Sequence, residues 1–267
     1  MTDRAVSDVV GFTLMFSIII LSVAIVSTAG LTQLSELSER ESINSGERAM
    51  EAFAGSVDDL SRQGDLVREA TLSPGGGTIW LNGDAELGIE VTDGAVTHLD
   101  QTYAINALEH RYDRNPEDVT ISYEGGGVFR SDGAAALVRP QWRCTSDRAV
   151  LTVVKFAGTS SFSVGDGYGS DSGDPLPPGG EGVPSGTIES TDRGVRFQLT
   201  RVDADTYAIV DETAPSGTLD VSVDYANAAN PEQWEFFLDR SQGWTDTGEC
   251  ADVEMAVVRV VTVEIAT

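Results

Sequence analysis

The chain of 267 residues has one lysine, Lys155, and only two histidines, His98 and His110. Its 17 Lys plus Arg stand against 43 Asp plus Glu, a formal charge of −26. That balance repels phosphate backbones and excludes nucleic acid as an expected partner. Neither histidine has a second ligand at metal spacing, and no H-E-x-x-H, C-x-x-C, Walker loop or G-x-S-x-G occurs. The glycine runs do not join a strand to a helix, where phosphate is cradled. Carboxylates are too abundant for any pair to mark a glycosidase dyad. With no nucleophile–base constellation, the sequence points to no catalytic residue, metal or cofactor, and not to an enzyme.

Cysteine is scarce as well. Cys144 and Cys250 are far apart in the chain and fit no metal-ligand pattern. Outside the cell they would close one long disulfide loop; as unpaired thiols they would be buried, and geometry decides between the two. An acidic excess is one signature of disorder. Here 40% apolar residues and many alternating runs argue for a folded domain whose carboxylates keep it soluble in strong salt.

Charge and proline are absent from Val9 to Leu31, a run of Ile, Val, Leu and small hydroxyls. A bilayer core of about 30 Å needs roughly 20 such residues, so residues 6–31 are expected to form a transmembrane helix. The hydroxyls of Thr13, Ser17, Ser22, Ser27 and Thr28 can bond carbonyls of their own helix. A secretory signal would have a small-residue cleavage site after the run, and none follows. The small residue precedes it, as Arg4-Ala5-Val6-Ser7-Asp8-Val9-Val10-Gly11.

That segment resembles the class III signal of haloarchaeal type IV pilin-like proteins: a basic residue, Gly or Ala, then the helix. The resemblance implies that a prepilin peptidase cuts between Ala5 and Val6, making residues 1–5 a leader. Asp8 stands where that family commonly has proline, and it could pair with the freed amine of a neighbouring subunit. Leu108-Glu109-His110-Arg111-Tyr112 and Tyr123-Glu124-Gly125-Gly126-Gly127-Val128-Phe129-Arg130 resemble a block of an uncharacterised haloarchaeal pilin-like membrane family. Read physically, the three glycines give a bulge or a close backbone approach, and Glu124 has no catalytic partner.

Beyond the apolar run, residues 32–73 are expected to continue as an extracellular helical stalk. Ile43, Met50 and Val57, with Phe53, Leu60 and Val67, form a heptad stripe suited to packing between subunits or on the chain's own β domain, the latter being the expectation for residues 50–67. Gly46 and Gly64 interrupt it, and Asn44-Ser45-Gly46 reads as a soft joint. Helical from Val9 to Thr71, the rod would be about 95 Å long.

From Ser73-Pro74-Gly75 the composition turns to Thr, Val, Tyr and Gly, and residues 74–267 are expected to form a β-rich ectodomain. The expected strands are 78–81, 86–92, 101–112, 119–124, 149–156, 194–201, 206–211, 219–225 and 253–265. Asn82-Gly83-Asp84, Asp93-Gly94 and Asp203-Ala204-Asp205 read as turns. The last strand is expected to be central. A short helix is expected after Asn230 as cap and Pro231, with Trp234, Phe237 and Leu238 on its apolar face. Residues 165–186, almost wholly Gly, Pro, Asp and Ser, read as a surface loop, and Asp166, Asp171 and Asp174 lack the spacing of a calcium loop.

The expected fold class is therefore α+β: a long N-terminal helix, transmembrane half plus stalk, followed by an antiparallel β-rich domain. The expected role is a pilin-like structural subunit or minor subunit of a type IV pilus-related surface filament. Its partners would be membrane lipid, the prepilin peptidase and assembly machinery implied by the resemblance, and other pilin-like subunits. Its place would be the cell membrane, N-terminus inside and C-terminal domain outside. The competing expectation is a single-pass anchored ectodomain that binds an extracellular ligand and never polymerises.

Overall fold

The heptad stripe becomes one buried face of a helix, and the β-rich remainder becomes three sheets arranged around two cores. The computed structural model describes residues 3–62, 66–72, 78–112, 118–133, 136–157, 163–165, 195–210 and 218–266. Side chains of 3–11, 28–36 and 163–165 are outside that description. The chain divides into two units, Met1–Ser42 and Ile43–Thr267. Helix α1 (Asp3–Arg62) supplies the first unit and the start of the second.

In the first unit Ser17 Oγ donates to the Thr13 carbonyl at 2.7 Å and Ser22 Oγ to that of Ile19 at 2.8 Å. The hydroxyls are thus satisfied within the helix, and residues 12–27 present an apolar surface.

Among the described residues the second unit has fourteen strands, β1 (Val67–Leu72), β2 (Thr78–Asn82), β3 (Glu86–Thr92), β4 (Thr97–Ala104), β5 (Ala107–Tyr112), β6 (Val119–Glu124) and β7 (Gly127–Arg130) being the first seven. They continue as β8 (Arg143–Cys144), β9 (Arg148–Ala157), β10 (Ser163–Gly165), β11 (Val195–Val210), β12 (Leu219–Asp224), β13 (Glu249–Val253) and β14 (Met255–Ala266), with α2 (Pro231–Asp239) after β12. Sheet order is β1-β11-β14-β9-β8, β10-β2-β5-β6-β7 and β13-β12-β3-β4.

β14 is central, as its apolar residues on both faces require, and it divides the cores along its length. Ala256, Val258 and Val260 enter one core with β9 Ala149, Leu151 and Val153, the β3–β12 sheet and α2. Val261 and Val263 point to the opposite face and enter the other core with β9 Val154 and Phe156. That second core holds Ile43, Met50, Phe53, Ala54, Val57 and Leu60 of α1 together with β2, β5 and β6. Phe53 is its centre, with ring centroids 5.6, 6.1 and 6.0 Å from Tyr123, Phe156 and Phe197.

The expected fold class is corrected. The fold is β-rich rather than α+β, and among the described residues no helix is long and apolar enough to cross a membrane. Nor is the sheet purely antiparallel, since β14 pairs with β9 in parallel over Met255–Glu264.

Several boundaries also move. Helix α1 ends at Arg62, and Val67 opens β1 instead of closing the heptad stripe. Residues 44–46 are helical. Asp203-Ala204-Asp205 is not a turn: β11 runs straight through it, paired with β14, and a bulge between Arg201 and Asp203 absorbs the irregularity. Residues 101–112 split into β4 and β5, in different sheets, because Asn106 adopts φ 48°. Most of the expected loop 165–186 lies outside the described residues.

Candidate functional site

Three places hold side chains with a job beyond ordinary core packing. The first is the apolar stretch of α1. Phe12, Phe16, Ile19 and Ile20 are all exposed, from 71% at Phe12 to 49% at Ile19, and so are their neighbours to Val26. Exposure on every face of a helix differs from the single stripe of residues 43–60 and marks a surface made to be covered.

The second is the clasp on the far end of α1. The last carbonyls of a helix lack intrahelical donors and carry its partial negative charge. Here Arg201 Nη1 of β11 donates to the Leu60 carbonyl at 3.0 Å, and Arg259 Nη2 of β14 donates to that of Ser61. Arg259, which interrupts the apolar alternation of the last strand, is thus a helix cap. Further along, Arg130 of β7 pairs with Glu47 of α1 and with Asp132. Gln141 donates to Asp58, and Arg68 pairs with Asp59 at 2.8 Å. At Gly46 an added methyl would overlap the Tyr112 hydroxyl, so glycine allows the close approach.

The third is Glu124, fully buried at the end of β6. Its Oε1 accepts from the Asn230 N–H at 3.1 Å, Asn230 Nδ2 at 3.2 Å and Trp234 Nε1 at 3.0 Å. Its Oε2 accepts from the Ala229 N–H at 2.8 Å. Burial pushes its carboxyl up to about 7 against the pull of those donors. Asn230 precedes α2 without capping it by its side chain, and its Nδ2 donates to Ser122 Oγ at 2.6 Å and to Glu124. Glu124 therefore pins α2 to β6 and offers no open face to a substrate. A shallow cavity of about 200 Å³ lies between α1 and the sheet, lined by Glu51, Asp58, Arg62, Tyr123, Arg139 and Gln141 among others.

Cys144 and Cys250 are joined by a disulfide with Cα atoms 5.9 Å apart. His98 Nε2 lies 3.2 Å from Asp93 Oδ2, in the β3–β4 hairpin, where the Val96 and Ala95 N–H groups hold the Asp93 carboxyl below its usual range. His110 is buried, its Nδ1 3.1 Å from the Tyr112 hydroxyl. The two histidines are thus used in a turn and a core. Among the described residues no group of three His, Cys, Asp or Glu is placed to hold a metal ion. Arg4, Ala5, Val6 and Asp8 fall in the first turns of α1, and their side chains lie outside the described residues. The Arg201–Arg259 clasp and the donors to Glu124 escaped the sequence; the one available signal was an arginine breaking an apolar strand.

A model described as a family of unknown function, DUF7289, matches residues 4–171. No curated protein and no solved structure matches the chain.

Proposed function

For a chain that belongs to DUF7289, a family of unknown function, we propose a structural role: a pilin-like subunit of a cell-surface filament that assembles through α1. The observation that carries this is the apolar surface of residues 12–27, exposed on every face. Like segments from other copies would cover it, with small hydroxyls already satisfied inside each helix. The β-rich unit then serves to grip residues 43–62 through Phe53, Arg130, Arg201 and Arg259. The Cys144–Cys250 disulfide suits an oxidising location outside the cell. In this reading Arg4, Ala5 and Val6 are the processing site and Asp8 meets a neighbour's freed amine.

The test joins two measurements on cells producing the full chain. Mass spectrometry should find the mature N-terminus at Val6, and electron microscopy should show filaments containing the protein. Ile19→Asp should abolish the filaments while leaving the melting of the β-rich unit unchanged. An N-terminus at Met1 or Thr2 with no filaments would instead support the competing reading, an ectodomain held singly at the membrane and binding an extracellular ligand.

A further inference from the structure

β11 is 16 residues long, and its two edges are unequally used. One edge pairs with β14 as far as Val210. The other pairs with β1 only from Val195 to Thr200. Beyond Thr200 no strand among the described residues covers that second edge, and among those residues the nine from Val202 to Val210 form an open border of the five-stranded sheet. An open edge displays backbone N–H and C=O groups that specify one kind of partner, another extended strand. Edges of this length are usually shortened or covered, and here Val202, Tyr207 and Val210 are exposed by 50, 39 and 54%.

We propose that Val202–Val210 pairs antiparallel with the same edge of a second copy of this chain, making one continuous ten-stranded sheet from two five-stranded ones. The residue pattern argues for a second copy because it is self-complementary about Thr206. A two-fold axis there sets Ala204 opposite Ala208, Asp203 opposite Ile209 and Asp205 opposite Tyr207. Centring on Ala204 or Asp205 instead would oppose aspartates, so the charges select the register. Two chains of charge −26 repel at low ionic strength, so the pairing strengthens with salt. It uses a surface separate from residues 12–27 and stands or falls independently of the filament reading.

The test uses the full chain in mild detergent and molar salt. Both native cysteines are in the disulfide, so an introduced thiol is alone. Thr206→Cys sits on the axis and should cross-link to its own copy at least about tenfold faster than Thr102→Cys, an exposed control on β4, a ratio of about 1.4 kcal/mol. Ala204→Cys and Ala208→Cys should each cross-link slowly alone and rapidly when mixed, and dilution into low salt should suppress both reactions. Detergent association through α1 would not reproduce that register. Thr206→Cys reacting no faster than the control, or Ala204→Cys reacting alone as fast as in the mixture, overturns the proposal.

Discussion

Arg259→Met should cost the fold far more than its position, half-exposed on a strand, would suggest. Its guanidinium donates to the carbonyl of Ser61, a buried residue at the end of α1, and a methionine of similar length keeps the apolar stem but removes the donor. A hydrogen bond to a charged group contributes about 1.5–3 kcal/mol. A cation at a helix C-terminus adds about 0.3–1 kcal/mol at low salt. Together the loss is about 2–4 kcal/mol, and a domain of this size shifts by about 2–4 °C per kcal/mol, so the melting temperature should fall by about 4–16 °C. The measurement is thermal unfolding of the full chain, followed by circular dichroism at low and molar salt. Salt screens the dipole contribution and leaves the hydrogen bond, so most of the deficit should persist. Arg259→Lys should fall between. Arg201→Met removes the bond to Leu60, and the double variant should be non-additive because both arginines hold one helix end. A variant melting within about 1 °C of the parent would refute the clasp, since a lost buried partner cannot be that cheap.

Glu124→Gln tests the buried carboxylate through pH. Its folded-state pKa of about 7 lies above the ordinary 4.5, so its contribution is present below pH 4.5 and is lost as pH rises through 7. Denaturant titrations should show parent stability falling relative to the variant by about 3 kcal/mol between those limits, and a flat difference would contradict it. Gly46→Ala, normally worth about 1 kcal/mol in a helix interior, should instead destabilise by about 1–3 kcal/mol because the methyl meets the Tyr112 hydroxyl. Chemical denaturation gives its sign directly. Replacing Cys144 and Cys250 by serine opens a loop spanning 106 residues and should cost about 3–5 kcal/mol, with reductant lowering the parent to the variant's stability.

What could be read in the sequence follows from how far apart the cooperating residues lie. Ile43, Met50, Val57, Phe53 and Leu60 signal their burial because helical periodicity is a local property, and all five are in the core. The strands β3 and β6 were legible for the same reason, as were Pro231 and the buried face of α2. Val67 carried the heptad spacing too, yet tertiary pairing with Thr200 drew it into β1. The parallel β9–β14 ladder joins segments about a hundred residues apart, and no local pattern distinguishes it from an antiparallel pair. Asp203-Ala204-Asp205 looked like a turn because its residues favour one. The long ladder to β14 overrode that preference, and a bulge took up the difference.

The same contrast explains why α1 reads as two chemistries in one helix. Residues 43–60 are apolar on one stripe and satisfied by a core within the chain, so their pattern announces a partner that is present. Residues 12–27 are apolar on all faces, a pattern that no single intramolecular surface can satisfy. Periodicity therefore distinguishes the stripe that is covered within the chain from the stretch that is left exposed. The arginines follow suit: Arg130, Arg201 and Arg259 are spent on Glu47 and the closing carbonyls of α1, where the helix must be held. With Arg68 on Asp59, at least four of the chain's 17 basic residues reach that helix from the strands, which is the expected economy if presenting the helix is what the β-rich unit is for.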